Sequence, residues 1–344
     1  MSGKLIINVK QIKQNIKDIK HQTQGALFCA VVKANCYGLG IKLCKYIEED
    51  IDYWAVCNLT EAKQLSSISR KRILVLSPID KYDYKRILLL PSNIEYTVDS
   101  IQVLDYLINH NIKCNIHIAV NTGMNRYGTD YKPFIKMVDK LKAQNIVTLV
   151  GIYSHFYKNT KETMNQQYLK FLPFVNMAKQ YKGDIICHIS NSHGVSYPLD
   201  MVRVGIGLYN LQANKSIKLI SYVKNIRTIH KGDIVSYEAK FIANKPTKVA
   251  VIPLGYADGI MRKLGGGYVF INNNKCKIIG NICMDCFMVD VTNCKNIKVG
   301  DKVLILGKLH KGCINICQVA QKCGTINYEL LCRLGNRIKR VYKK

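Results

Sequence analysis

The chain has 344 residues, 48% of them apolar, and its 51 Lys and Arg against 23 Asp and Glu leave a formal net charge of +28. Length and composition suffice for a large domain with a smaller one around sizeable cores, while no apolar stretch approaches the ~20 residues that would span a bilayer, so no membrane association is expected. The amino terminus holds no apolar segment long enough for a signal peptide, which predicts a cytoplasmic protein.

The 14 cysteines are scattered through a long chain and read as reduced thiols. Cys283 with Cys286, and Cys313 with Cys317, both lack the second ligand pair of a structural zinc site, so no metal is expected. Lysines recur among apolar residues along most of the chain, and the densest basic cluster is Arg337 to Lys344. Without interleaved aromatics this predicts solvated faces and attraction for anionic ligands, not nucleic-acid binding.

In chain order, Val9, Ile12, Ile16 and Ile19 recur at helical spacing among polar residues and predict an amphipathic helix. Residues 27–32 form a continuous apolar run, as suits a parallel strand buried on both faces, and the run stops at Lys33. Similar runs at 73–76, 114–120, 147–153, 185–189 and 202–208 are mostly separated by segments long enough for a helix. Repeated βα units build either a closed barrel or an open doubly wound sheet. Lys33, Arg126, His155, His188, Asn191 and Gly205 all lie at or just past the carboxyl end of a run, which favours the barrel, and no G-x-G-x-x-G opens the first helix. Beyond residue 212 the runs become short, at 234–237, 248–254, 268–271, 277–282, 287–291 and 302–306, as in an all-β domain. Gly265-Gly266-Gly267 and Asn272-Asn273-Asn274 read as hairpin turns. The expected fold is therefore α/β: a (β/α)8 TIM-type barrel over residues 1–212 and a C-terminal all-β domain over 213–344.

The sharpest local signal is Ala30-Val31-Val32-Lys33-Ala34-Asn35-Cys36-Tyr37-Gly38-Leu39-Gly40. A lysine at the mouth of a buried strand is partly desolvated and fit for Schiff-base chemistry, although position alone favours one that simply reaches out to solvent. This segment resembles the A-V-V-K-A-N-A-Y-G-H-G cofactor motif of the alanine racemases. Further matches follow in order: residues 117–126 resemble K-V-D-T-G-M-x-R, Ser154-His155-Phe156 resembles T-H-F, His188 to Ser192 resembles H-x-x-N-S, and Val202 to Ile206 resembles V-R-x-G-I. Ser236-Tyr237, Gly255 to Gly259, Cys283-Met284-Asp285 and Ile326 to Glu329 resemble S-Y, G-Y-A-D-G, C-M-D and I-N-Y-E.

The resemblance implies a pyridoxal-phosphate-dependent racemase of L- and D-alanine, supplying D-alanine for peptidoglycan; a racemase of serine or lysine is the alternative. It implies a homodimer in which the β domain of one subunit completes the barrel site of the other. Lys33 would carry the cofactor and act as one base, Tyr237 of the partner subunit as the other, since one base cannot easily reach both faces of a fixed plane. His155 would join Tyr237 to Arg203, and Arg203 would donate to the pyridine nitrogen. A guanidinium stays protonated, so that nitrogen stays unprotonated and the ring becomes a weaker electron sink. Tyr37, Ser192, Tyr328 and the amides of Gly205 and Ile206 would hold the phosphate, with His188 and Asn191 also in the cofactor site. Arg126 and the backbone of Met284 would hold the substrate carboxylate, with Tyr256 narrowing the entrance. Where the family has a lysine, often carbamylated, this chain has Ala119, and Asn121 replaces an aspartate; chloride is the expected substitute anion near Arg126. Leu39 replaces a histidine and Glu238 a glycine, with no role evident for either.

Overall fold

A computed structural model of the chain describes residues 3–23, 25–80, 82–197 and 199–344. It divides into two units, one comprising Lys13–Cys36 and Cys44–Leu208, the other comprising the chain up to Ile12, Tyr37–Leu43 and Tyr209–Lys344.

The first unit is an eight-stranded parallel sheet of Leu27–Val31, Tyr53–Val56, Ile73–Pro78, Ile94–Val98, Cys114–Ala119, Val147–Tyr153, Ile186–His188 and Met201–Val204. The last strand pairs with the first, Phe28 opposite Val202, so the sheet wraps round. At the remaining seam Asp200 joins the ends: its N–H donates to the Cys187 carbonyl at 3.0 Å, and its carboxylate accepts from the Cys187 N–H at 2.7 Å. Helices between the strands lie on the outside. Tyr131–Lys142 buries Phe134, Met137, Val138 and Leu141, one stripe at helical spacing, and each such side chain contributes about 1.5–3 kcal/mol by leaving water. Leu59–Ser66 is capped by Asn58, whose side chain accepts from the Glu61 N–H at 3.0 Å. Two barrel strands lie outside the predicted runs: Tyr53–Val56 is an apolar run of only four residues, and in Ile94–Val98 the buried Glu95 and Thr97 interrupt the apolar pattern.

The second unit is a mostly antiparallel sheet in the order Asn225–Ile229, Thr247–Ile252, Phe287–Asp290, Asn274–Ile279, Tyr268–Ile271, Lys302–Leu309, Ile217–Tyr222, Lys4–Asn8, Lys339–Lys343. Lys4–Asn8 precedes the helix Val9–Lys20 and pairs parallel with Lys339–Lys343, which takes the start of the chain into this sheet. Two short helices, Ile316–Cys323 and Asn327–Cys332, accompany the strands, so the unit is not purely β. Asn272 and Asn273, with φ of 47° and 66°, form the expected two-residue hairpin turn. Gly265 to Gly267 instead lead from a 3-10 turn into the strand Tyr268–Ile271 and join no hairpin.

The basic cluster at 337–344 belongs to the fold. Arg337 binds buried Asp258 at 2.9 and 3.1 Å and Asp285 at 2.8 Å, and Arg340 donates to the carbonyls of Gly38, Leu334, Gly335 and Ile338. None of the fourteen cysteines is disulfide-bonded, and among the described residues no helix is long and apolar enough to cross a membrane and no cluster of three His, Cys, Asp or Glu could hold a metal.

Candidate active site

Lys33 follows the strand Leu27–Val31, and Ala34, Asn35, Cys36 and Tyr37 after it all have φ between 51° and 55°. Four successive non-glycine residues in the left-handed region cost roughly 1–2 kcal/mol each, so the turn must be held. Glu61 holds it, accepting from the Ala34 N–H and the Cys57 N–H, both at 2.8 Å. The Cys36 N–H donates to the Val32 carbonyl at 2.9 Å. The turn fixes where Lys33 leaves the strand.

Arg203 is buried on the strand Met201–Val204. Its Nη1 meets His188 Nδ1 and the His188 carbonyl (3.3 Å), and its Nη2 meets the Ser154 carbonyl (2.6 Å), His155 Nδ1 (3.4 Å) and the Ile189 carbonyl (3.5 Å). The guanidinium also lies 5.0 Å from the centre of the Tyr153 ring. Burial lowers its pKa to about 10, so it remains charged at neutral pH. Its Nε–H has no acceptor among the described residues. A buried cation with a donor to spare is set up to meet a neutral acceptor from a ligand.

His155 is held at a pKa of about 3 by burial first and then by the positive charges of Arg203, Arg126 and Lys33. The imidazole is neutral over the physiological range.

Ser192 Oγ accepts from the N–H groups of Gly205 (3.0 Å) and Gly207 (3.1 Å) at the start of the 3-10 turn Ile206–Tyr209. Amides converging with a hydroxyl suit an anion such as a phosphate ester. Asn191 serves the adjoining loop: Oδ1 accepts from the N–H groups of His193 (2.9 Å) and Gly194 (3.1 Å), and Nδ2 donates to the Phe156 carbonyl (3.4 Å). Arg126 is exposed, stacks near Tyr127 at 5.5 Å, and has no carboxylate partner among the described residues. Ala119 is buried, and Asn121 spends its side chain on Gly123 and Asn125.

In the second unit the rings of Tyr37 and Tyr328 are 6.3 Å apart, and burial raises the pKa of both, so each phenol keeps a proton to donate. Leu39 is buried there beneath Tyr342, whose hydroxyl donates to the Leu39 carbonyl at 2.9 Å. Tyr237 is 68% exposed, yet its backbone is pinned: Asn281 Nδ2 donates to the Tyr237 carbonyl (3.1 Å) and to Glu238 Oε2 (3.0 Å), and Ser236 Oγ donates to the Asn281 carbonyl (2.7 Å). Glu238 has a φ of 62°, which accounts for glycine in the family pattern; here its bond to Asn281 offsets the strain. Tyr256 and Met284 are also exposed and adjoin, because Gly255 lets the chain approach: a Cβ there would lie 2.1 Å from the Met284 carbonyl oxygen. Tyr237, Tyr256 and Met284 thus face solvent in the single chain.

Sequence reasoning missed the polar chain behind Arg203 that continues from the predicted His188 through buried His117, Glu95 and Tyr53 to the half-exposed Arg72. Its one legible sign is Glu95 inside the otherwise strand-like Ile94–Val98.

A parallel barrel that carries a strand-end lysine, a buried arginine with a free donor, a neutral histidine and an amide cradle, in a chain with a second antiparallel unit, defines the two-domain amino-acid racemases. Residues 7–213 match the family described as alanine racemase, N-terminal domain, and residues 216–342 the alanine racemase, C-terminal domain. The alanine racemase of Methanococcus maripaludis is 34% identical over 98% of this chain and 97% of its own length, and that of Fusobacterium nucleatum 34% identical over 97% and 98%. Among solved structures, alanine racemase from Bacillus anthracis with bound L-Ala-P superposes with a TM-score of 0.91 at 26% identity over 100% of this chain and 95% of its own, and that from Bartonella henselae, with covalently bound pyridoxal phosphate, with 0.86 at 26% over all of both chains. The chain belongs to the alanine racemase family, and it interconverts L- and D-alanine.

Proposed function

We propose that this chain works as a homodimer on pyridoxal phosphate, with Lys33 and the partner subunit's Tyr237 moving protons on opposite faces of the bound amino acid. The residues fit the cofactor: the spare Nε–H of Arg203 suits a pyridine nitrogen, and the cradle of Ser192, Gly205 and Gly207 suits a phosphate. When bound, the cofactor supplies the electron sink that acidifies the α-proton.

The chain's own residues do the rest. Arg203, charged at working pH, would donate to the pyridine nitrogen and so disfavour a proton there. Ser192 and the amides of Gly205 and Ile206 take the phosphate, with Tyr37 and Tyr328 as further donors assigned from the motifs. His188 and Asn191 belong to this shell, the first as the support of Arg203 and the second as the brace of the loop. His155, neutral and accepting from Arg203 on Nδ1, has its N–H on Nε2 to offer the Tyr237 oxygen of the partner subunit, which lowers the cost of a phenolate acting as base. Arg126 and the backbone of the partner subunit's Met284 would hold the carboxylate and the partner's Tyr256 would limit the size of what enters; a chloride ion would take the place of the family's carbamylated lysine beside Arg126.

The observation that carries this reading is buried Arg203 held against His155 and His188, in the same barrel as the Ser192, Gly205 and Gly207 cradle and strand-end Lys33. Borohydride treatment of the purified holoenzyme followed by peptide mapping tests it: the pyridoxyl group should be found on Lys33, and finding it on another lysine would overturn the assignment.

A further inference from the structure

We infer that Glu95 is a positioning residue for Arg203, acting through His117 and His188 to fix the tautomer of both imidazoles and thereby the orientation of the guanidinium; this rests on the reading that Arg203 meets the cofactor. The four side chains stand on four different barrel strands, all are buried, and Glu95 is only 1% exposed. Glu95 Oε2 lies 2.8 Å from His117 Nε2, His117 Nδ1 lies 3.0 Å from His188 Nε2, and His188 Nδ1 meets Arg203 Nη1.

The direction of every link is held from both ends, by a guanidinium that can only donate and a carboxylate that can only accept. A guanidinium can only donate, so His188 Nδ1 accepts. A neutral His188 then carries its proton on Nε2 and donates it to His117 Nδ1. His117 in turn carries its proton on Nε2 and donates it to the carboxylate, which can only accept. Any other assignment sets two N–H groups or two lone pairs against each other among fully buried side chains, which costs what an unmade buried hydrogen bond costs. Burial lowers the pKa of both imidazoles, in keeping with the neutral forms this order requires.

The anchor is built as carefully as the chain. Glu95 also accepts from Arg72 Nε (2.5 Å) and the Tyr53 hydroxyl, and the Arg72 guanidinium stacks 4.9 Å from the Tyr53 ring. Tyr153 stacks on His188 at 5.1 Å and 10° and lies under Arg203 as well. Gly151 makes room for His117, since a Cβ there would lie 2.2 Å from its Nδ1. Without the carboxylate the His117 Nε2–H is left buried and unpaired, and relieving that cost by moving both imidazole protons to Nδ1 sets an N–H of His188 against Arg203 and pushes the guanidinium aside.

The test combines imidazole 15N NMR of histidine-labelled holoenzyme with steady-state kinetics. In the native protein at pH 7.5, His117 and His188 should both be neutral with the proton on Nε2; protonation on Nδ1, or on both nitrogens, overturns the inference without any variant. Glu95→Leu should shift these tautomers and lower kcat by about tenfold to a hundredfold through misplacement of Arg203, with KM little changed. Glu95→Gln keeps an oxygen for His117 and should restore the native tautomers and most of the lost kcat. Unchanged tautomers and kcat in folded Glu95→Leu sink the proposal. If the reading of Arg203 is at fault instead, Glu95→Leu still shifts the tautomers, but Arg203→Gln leaves the visible absorbance of the bound cofactor unaltered.

Discussion

His155 Nδ1 stands 3.4 Å from Arg203 Nη2, and because the guanidinium has no lone pair to offer, the imidazole accepts there and keeps its single proton on Nε2. A second proton would have to sit on Nδ1, facing a buried cation.

Stability should therefore depend on pH through the histidines. The folded-state pKa of His155 is about 3, and those of His117 and His188 are also lowered. The unfolded chain takes up these protons near pH 6.5 and the folded chain does not, so unfolding becomes easier as pH falls through that value. Each such histidine contributes a slope of up to about 1.4 kcal/mol per pH unit. Denaturant midpoints between pH 8 and 5 should fall, and His155→Asn should flatten the slope by about one proton's worth. An unchanged slope in the variant would mean that His155 is charged in the native protein.

Mixed dimers should recover activity from two dead parents. Tyr237 is exposed in the single chain, as a residue that serves a neighbour would be. Lys33→Ala and Tyr237→Phe subunits, each inactive alone, should regain activity once exchanged, because one of the two sites then holds both bases. Exchange demonstrated by mass, with no recovery, would show that each site is built from one chain.

Chloride should raise activity more than a bulky anion at equal ionic strength. Arg126 has no carboxylate partner among the described residues, and Ala119 offers no charge. Since Arg126 is exposed, the anion is needed to orient it, not to offset desolvation. The response should show in KM for alanine, and Ala119→Lys should weaken it. Indifference to chloride would remove the anion from the site.

Gly151→Ala should be costly although it adds a single methyl group. The new Cβ would lie 2.2 Å from His117 Nδ1 and 2.9 Å from the Ile186 carbonyl oxygen, and overpacking of this kind destabilises by about 1–3 kcal/mol. A thermal scan should show a lowered Tm, while alanine at exposed Gly183, with open space around it, should leave Tm unchanged.

Local sequence determined a good part of this protein. Continuous apolar runs marked most barrel strands because both faces of a parallel strand are buried, and the chemistry-bearing residues at their ends pointed to one end of a barrel. The motif order carried the family. Other features depended on groups far apart in the chain. The strand Lys4–Asn8 is too short and too plain to be recognised until Ile217–Tyr222 and Lys339–Lys343 pair with it. Glu95 looks misplaced in a strand until His117, Arg72 and Tyr53 surround it, and Glu238 looks like an error against glycine until Asn281 is seen to hold it. The tautomers of His117, His155 and His188 belong to the same class. A sequence states which side chains are present, but the position of an imidazole proton is set by which partners can only donate and which can only accept, and tertiary structure alone brings those partners into contact.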